Sequence, residues 1–101
     1  ASEYLPDAHL ALGEMKFRQR NFKMALEHFE AVRKFPDSAV YPYGIYKAAW
    51  TQYNLRDVDA AIKNLEDVIR YGRFVKDQGI DSRLDLRKEA MFDLALFYED
   101  N

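Results

Sequence analysis

The sequence predicts an all-α fold, a solenoid of stacked antiparallel helix pairs, and three observations predict it. Phe22, Ala25, Leu26, Phe29 and Val32 form an i, i+3, i+4, i+7, i+10 stripe, the period of a helix that buries one face. Val58, Ala61, Ile62, Leu65 and Val68 repeat that spacing 36 residues later. A repeat of this length, made of two helices, buries its apolar face by stacking on further copies. Finally, "AMFDLALFY" resembles "IYKAAWTQY" at an interval near 46 residues and reads as the first helix of a third copy.

The helices are expected near residues 7–19, 22–35, 40–55, 58–71 and 83–99, all in one domain spanning 1–101. The first repeat covers about 6–36 and the second about 40–71. Asn21 and Asp57 hold the N-cap positions of the two second helices, where a side-chain oxygen accepts from an orphan backbone N–H. Arg33 and Lys34 fall in a last turn, opposite the carbonyl end, and Pro36 stops that helix. Across the 36-residue shift Arg20, Ala25, Glu30 and Val32 recur as Arg56, Ala61, Glu66 and Val68. "YGRFVKDQGID", with Gly72 and Gly79, reads as a loop over 72–82 that accounts for the longer second interval. Ser82 and Asp85 have capping-box spacing ahead of the last helix.

With 101 residues, 49% hydrophobic and 32% charged, the chain suits one small globular unit. Fifteen basic and seventeen acidic residues give a formal charge of −2, which argues against nucleic acid or an anionic membrane as partner. There is no cysteine, hence no disulfide, thiolate nucleophile or thiolate metal site. No apolar run approaches the roughly 20 residues of a membrane span. The chain starts at Ala1 and stops at Asn101 within a helical pattern, so it reads as a piece of a longer protein.

"YPYGIYKAAWTQYNL", residues 41–55, carries two apolar faces. Ile45, Ala48 and Ala49 form one, with small side chains suited to close helix contacts. Tyr43, Tyr46, Trp50 and Tyr53, spaced 3, 4 and 3, form the other. A middle helix of a solenoid needs both.

These residues resemble the tetratricopeptide repeat family over nearly the whole chain. Leu12, Gly13, Phe17, Ala25, Phe29 and Pro36 fit the family pattern in the first copy, Ala49, Tyr53, Ala61 and Leu65 in the second, and Leu94, Ala95 and Tyr98 in the third. His9 and Ile45 stand where the family has Trp. Arg20 and Arg56 stand in its usual glycine turn, and a left-handed backbone there costs about 1 kcal/mol for a residue with a Cβ. "FPDSAVYPYGIYKAAW" is also similar to the spacing "PDSxxxPxAxYKxAW" of bacterial cell-envelope members such as Tol-associated and outer-membrane-assembly lipoproteins, which leans the location toward the periplasm and leaves the cytoplasm open.

The resemblance implies a right-handed superhelix whose first helices line a concave groove holding a peptide or partner protein. It places in or beside that groove Leu10, Glu14, Phe17 and Arg18, then Tyr43, Tyr46, Lys47, Trp50, Tyr53 and Asn54, then Phe92 and Leu96. Tyr and Trp combine apolar area with a polar tip and are common binding hot spots. Family members that grip an acidic chaperone tail use Lys and Asn where this chain has Leu10, Glu14 and Arg18, which favours an apolar or amphipathic segment.

No catalytic constellation stands out. His9 and His28 lack a third ligand at metal spacing, and "DVD" at 57–59 has Ile62 where a calcium loop needs Gly. There is no phosphate-cradling glycine loop, nucleophile elbow, or Ser or Thr beside a base. Glu27 and Glu30 read as a solvated helix face, and "KFRQRNFK" as core Phe17 and Phe22 with charges around a turn. The chain is expected to be a non-catalytic interaction scaffold that needs no cofactor, metal or small-molecule substrate. The alternative is a spacer or self-association unit, a homodimer through the unpaired last helix.

Overall fold

A computed structural model of the chain describes residues 4–77 and 86–101. Among them are five α-helices and no strand: α1 (Leu5–Arg18), α2 (Phe22–Ala31), α3 (Tyr41–Asn54), α4 (Val58–Asp77) and α5 (Arg87–Asp100). A 3-10 turn over Val32–Lys34 ends α2. Each helix packs on its neighbours in sequence, α1 on α2, α2 on α3, α3 on α4 and α4 on α5. This is the serial contact pattern of an all-α helical repeat. Two helix layers about 9 Å apart, each with a Cα radius of about 2.3 Å, occupy about 14 Å, close to the molecule's shortest extent of 16 Å.

The hairpin turns explain why α1 pairs with α2 and α3 with α4. Arg20 and Arg56 have φ of 61° and 69° and, among the described residues, are the positive-φ residues outside glycine. Arg20 N–H donates to the Phe17 carbonyl and Asn21 N–H to that of Lys16; Arg56 N–H donates to Tyr53 and Asp57 N–H to Gln52. This pair of bonds is the Schellman helix ending. The residue that completes it then caps the next helix, because Asn21 Oδ1 accepts from Met24 N–H at 3.3 Å and Asp57 Oδ1 from Ala60 N–H at 3.4 Å. One residue serves both helices, so the chain reverses with no slack.

α3 is the shared middle element. Ala48 packs with Ala25 and Phe29, while its neighbour Ala49 packs with Ile45, Ala61, Leu65, Val68, Ile69, Ala90 and Phe97. Both alanines are fully buried. Close approach on the α2 side requires Gly44, where an added Cβ would sit 2.8 Å from the Cβ and Cγ1 of Val32.

Two expectations need correction. The loop expected from residue 72 begins later, because α4 runs to Asp77. Its buried stripe continues past Val68 and Ile69 to Val75, and Gly72 lets Arg87 lie across the helix, since a Cβ would come within 2.5 Å of Arg87 Cγ. Glu30 is also less solvated than expected, as it pairs with Arg33 at 3.1 Å. The Ser82–Asp85 capping box and Gly79 lie outside the described residues, and Leu86 occupies the cap position of α5.

Arg56→Gly is expected to stabilise the protein by about 1 kcal/mol, a rise of ~4–8 °C in the thermal midpoint for a domain of this size. Arg20→Gly should gain less, because the Arg20 guanidinium lies 5.3 Å from the Phe22 ring centre and such a contact contributes about 0.5 kcal/mol. A lower midpoint for Arg56→Gly would refute the left-handed turn. Gly44→Ala sets a helix-propensity gain of about 1 kcal/mol against an overpacking cost of roughly 1–3 kcal/mol. Val32 is fully buried and stiff at χ1, so the cost wins and the urea midpoint should fall.

Candidate functional site

Some of the residues expected in the groove meet between the first helices of successive hairpins, in two groups, one between α1 and α3 and one between α3 and α5. Between α1 and α3, the Lys47 ammonium stands 4.1 Å over the centre of the Phe17 ring and 5.9 Å from that of Phe29. Burial lowers its pKa, against the pull of Glu14. Tyr43 is held above the usual phenol range by burial and by the Glu14 carboxylate beside it. Its ring stacks on Tyr46 with centroids 6.3 Å apart. Leu10 packs on the Ala25–Phe29–Ala48 cluster, and Arg18 is exposed at the end of α1.

Between α3 and α5 the organising residue is Asp93, buried to 6% exposure. Its Oδ2 accepts from Tyr46 Oη at 2.6 Å and from Trp50 Nε1 at 3.0 Å. Burial, followed by this bond, pushes the Tyr46 phenol up to about 12. Tyr53 stacks face to face on Phe97 with centroids 4.0 Å apart and donates to Asp100 at 3.0 Å. Trp50 meets Phe97 edge-on at 5.0 Å. Asn54 Nδ2 donates to the Trp50 carbonyl at 2.8 Å. Phe92 is 72% exposed and Leu96 half-buried. The polar tips of Tyr46, Trp50 and Tyr53 are thus used inside the molecule, and what they offer a ligand is ring surface.

Three features escaped the sequence reading. Asp93 carried one signal, an acid inside an otherwise apolar run. A polar clasp joins the two second helices: Asn64 Nδ2 donates to Gln52 Oε1 at 2.7 Å and to Glu30 Oε1 at 3.3 Å, and Arg33 donates to Glu30, Asn64 and Asp67. His9 and His28, on different helices, bring their Nδ1 atoms to 3.2 Å. Among the described residues no group of three or more His, Cys, Asp or Glu side chains gathers as a metal site.

The second hairpin, with its left-handed Arg56 turn and its cluster of Ala49, Ala61 and Leu65, is the part of the chain that resembles a known family. Residues 43–71 match the tetratricopeptide repeat family model. Tetratricopeptide repeats generally mediate protein–protein interaction. No curated protein and no solved structure matches the chain. The α1–α2 hairpin repeats the turn hydrogen bonds of the matched segment. Among the described residues no helix is long and apolar enough to cross a membrane.

Alkaline titration checks the Asp93 centre. Because the Tyr46 pKa is raised in the folded state, the native protein keeps a proton that the unfolded chain releases above about pH 10. Its contribution to stability is therefore complete below pH 10 and is lost as pH rises toward about 12. Phenolate absorbance should show a last step near that value, and Tyr46→Phe should remove it. A single step near pH 10 would contradict the buried hydrogen bond.

Proposed function

We propose that the protein is a non-catalytic scaffold that takes an apolar or amphipathic segment of a partner protein across α1, α3 and α5. The observation that carries this reading is a pair of rows. Leu10, Tyr46 and Phe92, spaced by 36 and 46 residues, occupy matching repeat positions, as do Glu14, Trp50 and Leu96. None of the six is buried, although the same helices bury Gly13, Ala48, Ala49, Ala90 and Phe97.

The chemistry of these rows sets the ligand class. Five of the six residues are apolar or aromatic. Lys47 is laid over Phe17 and Glu14 lies beside Tyr43, so the charge left among these residues to orient a ligand is Arg18. Phe17, Tyr43, Tyr53 and Asn54 border the rows. A bacterial envelope setting rests on the residue spacing of 36–50 alone.

Selection from a displayed library of random 12-residue peptides against the intact protein tests the reading. Phe92→Ala should weaken selected peptides by roughly 2 kcal/mol, about thirtyfold, with no change in thermal midpoint because Phe92 contributes little to the core. Selected peptides that bind Phe92→Ala and Leu10→Ser as tightly as the parent, or a library that yields no binder, would overturn it.

A further inference from the structure

The chain has two histidines, His9 in α1 and His28 in the last turn of α2. They are 19 residues apart in sequence, yet their Nδ1 atoms approach to 3.2 Å, with ring centres 5.5 Å apart and the rings tilted by 36°. The ring-centre distance is close to the nitrogen separation plus two ring radii, so each Nδ1 points toward the other. One of the two carries the proton and the other accepts, because two N–H groups cannot share that line. Both side chains are half-buried rather than sealed.

The hairpin does not need this pair. At the 36-residue interval His9 corresponds to Ile45 and His28 to Asn64. Ile45 packs in the cluster of Ala61 and Leu65, while Asn64 turns to Gln52 and Glu30. The matching helix pair therefore closes with an apolar contact at the first position and a separate amide at the second. Imidazoles placed nitrogen to nitrogen belong to α1 and α2 alone.

Their separation suits a shared metal ion. Two nitrogens bonded at about 2.0–2.1 Å to one tetrahedral ion stand roughly 3.3–3.4 Å apart, close to the spacing the two helices already hold. What must change is direction: each ring turns by about 40° to aim its lone pair at a common point beside the line. The χ2 torsion of histidine is broad, so that rotation costs little and leaves both backbones in place. The proton balance is also simple. The imidazole that held its proton on Nδ1 carries it on Nε2 instead, both rings stay neutral, and both Nδ1 lone pairs become ligands.

We propose that His9 and His28 form a two-histidine site for a divalent transition-metal ion of the kind imidazole prefers, zinc or copper(II), with water in the remaining positions. Among the described residues no third His, Cys, Asp or Glu side chain gathers with them, so the ion is exchangeable and not a four-ligand structural centre. Its place gives it a role. The left-handed Arg20 turn closes one end of the first hairpin, and His9, near the start of α1, stands toward the other. An ion there ties α1 to α2 where no turn does, independently of the groove.

Zinc added to the intact protein tests this. One ion per chain should bind saturably, and at about ten times the Kd the thermal midpoint should rise by ~6–11 °C. Magnesium, which takes oxygen ligands, should leave the midpoint unchanged. The variants come from the second repeat, His9→Ile and His28→Asn, and each should fold and lose the zinc response. Proton NMR of the parent gives a reading that needs no variant: the ring signals of both histidines should move together as zinc is added. No saturable binding by about 1 mM zinc, an equal midpoint rise in either variant or with magnesium, or a shift of one histidine alone would overturn the proposal and leave the pair as a hydrogen bond only.

Discussion

The rest of the structure depends on a backbone constraint, the single left-handed residue at which each hairpin reverses. Because Asn21 and Asp57 complete one helix ending and cap the next helix, neither turn has a free residue in which register can slip. The two helices leave the turn antiparallel and already in contact, so Ala25 and Phe29 meet α1, and Ala61 and Leu65 meet α3, at fixed heights. An arginine holds this conformation at a cost of about 1 kcal/mol, a small sum against the burial of Phe29 alone, on the order of 2–3 kcal/mol.

That fixed register gives α3 its double character. Adjacent alanines, 48 and 49, look into separate apolar clusters, which leaves a third side of the helix for large aromatic residues. Those rings are not loose. On one side Lys47 caps Phe17, and on the other Asp93 gathers the donor groups of Tyr46 and Trp50. A buried carboxylate with two donors is favourable where the same carboxylate alone would be costly, so α5 is tied to α3 through a polar bond set inside an apolar contact.

The sequence made the helical class legible because Phe22–Val32 and Val58–Val68 repeat one period at one interval, and the Arg20 and Arg56 turns were legible because the surrounding pattern calls for glycine there. The end of α4 was not. Gly72 looks like a breaker until Arg87 is seen to lie across it, and that contact depends on where α5 docks. In the candidate site the periodicity of Leu10, Tyr46 and Phe92 could be read directly, since it lives on each helix separately. Asp93, the Arg33 clasp and the His9–His28 pair could not, because each depends on the rotation of one helix against another, which no one-dimensional pattern encodes.

The clasp among Glu30, Arg33, Gln52, Asn64 and Asp67 joins α2 and α4, helices that are not neighbours in sequence. Bending a two-layer stack requires one layer to spread while the other closes. Here the second-helix layer is held by charged groups that water and ions can reach. Its resistance to spreading is therefore partly ionic, and the curvature of the molecule acquires an elasticity that dissolved salt can soften while the apolar contacts stay as they are.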